Sequence, residues 1–275
     1  MRDQISQLSP FRYPGGKSWL RNTLIEWLTE IDLKLGLFLE PFAGGASVSL
    51  AVAETGAAER VLIVERDPQV AAVWKTILGE NWHRLARLIQ NFKISRRSVN
   101  EVLEADPSDE VSTAFRCLLR NRVSRGGIFA QGAGILKNGE SGNGLRSRWY
   151  PDALAARIET IHKLNGRLEF KEGDGLEEIR KYCESDETVI FADPPYTAKP
   201  SHPGQRLYDF SEFDHAELFQ ILAGIKGRCV ITYKESLPIR RLAQQYGFQI
   251  RRIPMRTAHH RRRYELFIFN GEPSP

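Results

Sequence analysis

The feature that most constrains the fold is a rhythm of short apolar runs ending in turn residues, separated by stretches of helical period. The runs cover residues 37–42, 61–65, 168–171, 189–193, 230–233, 248–254 and 264–269. Helical patterns fill 17–31, 47–53, 68–78, 151–164, 214–223 and 238–245. Nearly continuous apolar strands are what a parallel sheet needs when helices cover both of its faces. The alternation predicts a Rossmann-like α/β fold with a mainly parallel, seven-stranded sheet. Only the polar, arginine-rich residues 255–263 join the last two runs, so these should form an antiparallel hairpin at the sheet edge.

Between residues 79 and 150 the rhythm stops. Helical patterns with arginines at 82–90 and 110–122 lead into residues 126–144, which hold seven of the 22 glycines. This reads as a mostly helical insertion with one long loop, leaving 1–78 and 151–275 as one discontinuous domain. Charge singles out the same region. Residues 111–150 carry seven Arg/Lys against Glu140, a net +6, and residues 248–264 carry six arginines and no acid, another +6. With a total of +5, the remaining 218 residues stand at −7. Two basic patches on an otherwise acidic chain point to a polyanionic partner, nucleic acid first. The rival is a set of solvated arginines with no partner.

Cys117, Cys183 and Cys229 are odd in number and far apart, which predicts reduced thiols and a cytosolic protein rather than a zinc site or disulfide framework. Glu40 and Pro41 interrupt the longest weakly polar stretch, and the first thirty residues lack a signal pattern. Neither a membrane span nor secretion is expected.

Three motifs carry chemistry. Asp193-Pro194-Pro195-Tyr196 directly follows an apolar run, where ligands sit in an open α/β sheet. The prolines stiffen the backbone and remove N–H donors, leaving the Asp193 carboxylate and the Pro194 carbonyl as acceptors for an amino group. Tyr196 offers a face for stacking. Glu40-Pro41-Phe42-Ala43-Gly44-Gly45-Ala46-Ser47 ends the first run and opens a helix, and its glycines permit a tight turn against a ligand. About twenty residues on, Glu65 and Asp67 stand where a carboxylate binds ribose hydroxyls. Together these describe a nucleoside cofactor site. The third motif, Tyr13-Pro14-Gly15-Gly16-Lys17-Ser18, is not a phosphate-binding P-loop, because Phe11 occupies the first glycine position and no strand precedes it.

Taken in chain order, as Tyr13–Lys17, Glu40–Ser47, Glu65, the insertion and Asp193–Tyr196, these elements resemble the D12 class of N6-adenine DNA methyltransferases, the group of the bacterial Dam methylase. The resemblance covers about 200 residues outside the insertion. It implies S-adenosylmethionine as cofactor, double-stranded DNA as partner, and site-specific methylation of a flipped adenine at N6. It also implies a cytoplasmic, DNA-associated protein of bacterial or phage type, with a monomer favoured over an oligomer, and leaves restriction-modification, replication marking and phage defence as alternative roles. Carried over by residue, Asp193, Pro194 and Tyr196 would be catalytic, while Tyr13, Lys17, Phe42, Gly44, Glu65 and Asp174 would bind the cofactor. Lys17 would lie near the cofactor's carboxylate, Glu65 at its ribose and Asp174 at its adenine amino group. Residues 79–150 would recognise the target, with Arg120, Arg122, Arg125, Arg146 and Arg148 on DNA, joined by Arg261, Arg262 and Arg263 from the hairpin. Ala46 stands where the family has glycine, and alanine is tolerated there if its φ is negative; Glu65 stands where aspartate is commoner.

Other residues carry blander expectations. His259 and His260 should point to opposite faces of an extended segment, unlike a metal pair. Trp19, Trp27 and Trp74 should pack in the core, and Cys117 should be a buried thiol. Trp149 and Tyr150 fit either packing or stacking on nucleic acid. The competing functions are methylation of cytosine N4, methylation of RNA or of a protein glutamine, and a catalytically silent DNA-binding protein.

Overall fold

A computed structural model describes residues 8–12, 17, 20–30, 35–127, 134–139, 142–195, 213–256 and 262–271. Its seven strands are β1 (Leu37–Glu40), β2 (Arg60–Glu65), β3 (Leu168–Glu172), β4 (Thr188–Ala192), β5 (Arg228–Lys234), β6 (Gln249–Arg256) and β7 (Arg262–Phe269). They form one sheet in the order β3-β2-β1-β4-β5-β7-β6. The first five are parallel, whereas β7 runs antiparallel to both β5 and β6. The fold is therefore the Rossmann-like one expected, and the hairpin enters the sheet through its second strand. Strand order reverses between β1 and β4, so the ligand crevice of such a sheet lies at the carboxyl ends of these two strands.

Successive strand residues alternate between two cores. Phe38, Val61, Ile63, Val189 and Phe191 face one side, where they meet α1 (Arg21–Glu30), α2 (Ser47–Thr55), α3 (Pro68–Leu78) and α7 (Pro151–His162). Leu39, Leu62, Val64, Ile190 and Ala192 face α8 (Gly175–Lys181), α9 (His215–Ala223) and α10 (Leu237–Gln245). Burial on both faces is why these strands read as apolar runs rather than as alternating ones.

Local chemistry sets the boundaries. β1 stops two residues short of the expected 42, since Pro41 has no N–H for the ladder and Ala43 N donates to Val64 O at 2.9 Å. Asp67 caps α3 by accepting from Gln69 N and Val70 N, with Pro68 in the first turn. α1 begins at Arg21, after the expected start at 17. Two helices were not anticipated. α8 is short and begins inside Gly173-Asp174-Gly175, and α5 (Arg96–Glu104) has three apolar residues, Val99, Val102 and Leu103, and is held by a Ser95–Ser98 capping box.

The insertion does not stand apart from the core. α4 (Trp82–Asn91) packs on α7 and α6 (Glu110–Val123) on α3. Leu85, Ile89, Phe115 and Leu118 join the cluster that holds Phe38 and Val61. Cys117 is buried there, and burial pushes its thiol well above the usual range. Trp149 packs edge-on against Phe92 and Phe115, while Tyr150 is exposed. Trp27 and Trp74 are buried as expected; Trp19, His259 and His260 lie outside the described residues. The described residues contain no helix long and apolar enough to cross a membrane and no cluster able to hold a metal ion.

Candidate active site

Asp193 follows directly from β4, beside the end of β1, and its carboxylate is held at both oxygens. Lys17 Nζ lies 2.8 Å from Oδ2, and Thr232 Oγ1 donates to Oδ1 at 2.8 Å. Asp193 keeps 24% of its side-chain exposure while Lys17 keeps 4%, so the acid faces the crevice and its cation sits behind it. Lys17, expected at the cofactor's carboxylate, instead has its ammonium on protein carboxylates, since Glu265 Oε2 is 3.6 Å away. Pro194 is buried, fixing the backbone after Asp193. Tyr196 and Tyr13 lie outside the described residues.

A second carboxylate lies under the first. Glu40, at the end of β1, is buried and accepts from Ser49 N at 3.1 Å, in the first turn of α2. Burial is the main cause that raises its pKa to about 8; the Ser49 hydrogen bonds oppose it, Asp193 adds to it, and Lys17 opposes it weakly. Sequence reasoning quoted Glu40 within its motif without a role and missed Thr232 and Glu265 altogether. Thr232 looks like any strand residue, and only the parallel register of β4 and β5 puts it beside Asp193. Glu265 carried one signal, a lone acid inside an apolar strand.

The loop after β1 is built for close approach. Gly44 has φ +46° and Ala46 has φ +45°, so the negative φ under which alanine is easily tolerated is not met at Ala46. A left-handed alanine costs roughly 1–2 kcal/mol. The loop is overdetermined by its surroundings: Trp74 Nε1 donates to Gly44 O at 3.0 Å, and Ser9 Oγ donates to Gly45 O at 2.6 Å. Glu65 reaches the same loop from the end of β2. Its Oε2 accepts from Gly44 N at 2.9 Å, and its Oε1 accepts from Arg66 N at 2.8 Å and Asp67 N at 2.9 Å. Burial pushes the Glu65 carboxyl up, and these three N–H groups work against that shift. At the end of β3, Asp174 Oδ1 caps α8 through Leu176 N and Glu177 N, while Oδ2 lies 3.7 Å from Arg66. A Cβ on Gly175 would come within 2.2 Å of Pro41 O and 2.7 Å of the Phe42 ring, so only glycine lets β3 close on this loop.

These residues fit S-adenosylmethionine. A carboxylate has about four acceptor positions, so Glu65, with three taken, keeps one for a ribose hydroxyl. Asp174 is partly exposed beside it, and Phe42, braced edge-on by Phe213 at 5.2 Å, offers an aromatic wall.

A strap of residues 8–12 ties the insertion to this centre. Asn121, fully buried on α6, accepts from Arg12 N at 2.8 Å and donates to Arg12 O at 3.1 Å. Arg122, expected on DNA, is buried instead, and its guanidinium donates to Pro10 O at 2.7 Å. Burial first, then the neighbouring Arg157 and Arg12, lower its pKa to about 10. Its apolar surroundings on α6 hold it as an internal tie. Arg125 and Arg146 are exposed, Arg120 is half-buried, and half-buried Arg148 donates to Ser124 O at 3.3 Å. Arg261 and the side chains of Arg262 and Arg263 lie outside the described residues.

Comparison with known proteins adds a family. Residues 13–257 match the model of the D12 class N6 adenine-specific DNA methyltransferases. Among solved structures, the chain is similar to the rRNA methyltransferase aviRa from Streptomyces viridochromogenes, at 14% identity over 98% of this chain and 93% of that one, with a TM-score of 0.43. A putative RNA methyltransferase from Pyrococcus horikoshii gives 11%, 98%, 89% and 0.40 in the same terms. The precorrin-6y C5,15-methyltransferase from Geobacter metallireducens gives 10%, 89%, 84% and 0.38. No curated protein matches the chain.

Proposed function

The chain belongs to the D12 class of N6 adenine-specific DNA methyltransferases, and we propose that it methylates N6 of an adenine flipped out of double-stranded DNA. Its cofactor is S-adenosylmethionine, which supplies an electrophilic methyl group. The observation that carries the reading is the Asp193 carboxylate, clamped by Lys17 and Thr232 at the switch point and open toward the crevice.

Lys17 and Thr232 each hold one Asp193 oxygen, which orients the carboxylate toward the target. Asp193 and the Pro194 carbonyl accept the two N6 hydrogens and aim the nitrogen lone pair at the methyl group. Alignment supplies most of the rate, and the proton leaves late. Glu65, Gly44, Phe42 and Asp174 bind the cofactor, while Lys17 serves the target side of the crevice. Tyr196 stacks on the base. A duplex adenine cannot reach the end of β4, so the base must leave the stack.

Residues 79–150 act as the target-recognition segment of a catalytic domain formed by 1–78 and 151–275. Arg120, Arg125, Arg146 and Arg148 contact DNA there, with Arg261, Arg262 and Arg263 on phosphates from the hairpin. Nucleoside mass spectrometry of DNA incubated with protein and cofactor tests the reading. N6-methyladenine is the expected product. N4-methylcytosine would transfer the site to the other amino base, and unmodified DNA that still binds would indicate a silent DNA-binding protein.

A further inference from the structure

Glu265 has no place in the mechanism above, although it is the nearest thing in the molecule to a charge without a role. It sits inside the apolar strand β7 with 4% of its surface exposed, and its Oε2 makes no hydrogen bond among the described residues. That same oxygen faces the Lys17 ammonium at 3.6 Å, while Lys17 stands 2.8 Å from Asp193, so the cation lies 0.8 Å nearer to Asp193. We propose that Glu265 is a positioning residue for methyl transfer: it is the second counterion of Lys17, and takes over the ammonium when the methylated amino group's proton neutralises Asp193. The proposal rests on the functional reading given above.

The balance is as follows. The N6–methyl bond forms as the donor's C–S bond breaks with its electron pair staying on sulfur, which puts a positive charge on N6. An N6–H bond then breaks and an O–H bond forms on Asp193, leaving a neutral amine and a neutral carboxyl. Lys17 keeps its protons throughout. The step removes the charge of the nearer of the two anions that flank the buried ammonium, and losing an anionic partner inside the protein is disfavoured. Glu265 removes that penalty within a movement of less than one ångström, short enough for a lysine side chain to make without backbone change. A buried acceptor lacking a donor is itself costly, and an oxygen kept open for a moving cation gives that cost a purpose.

For this role Glu265 must be ionised. Burial raises its pKa, Lys17 opposes the shift, and Asp193 adds to it. The charged groups that face it are Lys17 from the segment before α1, Asp193 from β4 and exposed Lys234, its register partner on β5. β6 places uncharged Ile253 at the paired position.

Single-turnover methylation across roughly pH 5–9 tests this, with wild type, Glu265→Gln and Glu265→Asp, alongside cofactor affinity and thermal unfolding. Glu265→Gln should lower the single-turnover rate about tenfold or more with cofactor affinity nearly unchanged, and should make shallower the acid-side fall in rate that the wild type shows, leaving the part that comes from Asp193 having to be ionised. Glu265→Asp should keep that fall and recover part of the rate. A Gln variant with the wild-type rate and profile overturns the proposal. So does an Asp variant as impaired as Gln, or losses matched by lost cofactor affinity or folding, since these mean a structural role only. If Gln does not fold, retention or loss of the acid-side fall in Glu265→Asp decides. A wild type that methylates adenine while these outcomes fail refutes this inference alone; a wild type that methylates nothing refutes the functional reading and the inference with it.

Discussion

Thr232 Oγ1 donates to Asp193 Oδ1 at 2.8 Å, on the oxygen opposite the one that Lys17 holds. Two donors from different elements fix the plane of one carboxylate, because rotation about χ2 would break both bonds. Thr232 lies on β5 and Lys17 precedes α1, so the orientation of the acid depends on the sheet and on the docked N-terminal segment together. A carboxylate fixed in this way faces the crevice in a set orientation, as recognition of an amino group requires.

Asp193→Ala should abolish methyl transfer while leaving cofactor affinity within about tenfold, because its interactions serve the target amino group. Transfer of labelled methyl groups and a cofactor titration measure the two effects separately. Activity above a few per cent of wild type would count against the assignment.

Glu65→Ala should weaken cofactor binding by about 1–3 kcal/mol through lost charged hydrogen bonds. It should also lower stability, since the N–H groups of Gly44, Arg66 and Asp67 lose their acceptor. Calorimetric titration and urea unfolding report the two losses. An effect confined to DNA binding would mean the nucleoside pocket lies elsewhere.

The arginines of the insertion should divide into two groups. Neutralising Arg120, Arg125 and Arg146 should reduce the slope of log DNA affinity against log salt by roughly one unit per lost phosphate contact. Arg122→Ala should leave the slope unchanged and destabilise the fold by about 1–3 kcal/mol, because its guanidinium is buried against Pro10 O. The same slope change in both variants would put Arg122 back on the DNA.

Glu40 should make stability depend on pH. Its folded pKa is raised to about 8 from the ordinary 4.5, so between these limits the folded protein holds a proton that the unfolded chain has released. The contribution is fully present below the unfolded pKa and is lost as pH rises through the folded one, at roughly 1.4 kcal/mol per pH unit within the window. Relative to Glu40→Gln, the wild type should therefore lose stability from about pH 5 to pH 8. Urea unfolding of both proteins at several pH values gives the difference, and a difference that stayed flat would show that Glu40 titrates normally.

The sequence by itself determined the sheet, its reversed hairpin and the ends of β1, β2 and β4 as the ligand crevice, because apolar runs, helical periods and turn residues are local signals. It also determined the family, through three short motifs in a fixed order. It did not reveal α8, whose seven residues are too few for a clear period, or α5, whose apolar signal is only Val99, Val102 and Leu103 in nine residues. Tertiary structure alone decided that Arg122 turns inward and that Ala46 takes a left-handed φ, since surroundings set burial and strain. It also decided that Lys17, Thr232, Glu40 and Glu265 meet around one aspartate. These residues come from three strands and the segment before α1, spread over most of the chain, and only strand order and register bring them within reach of one another.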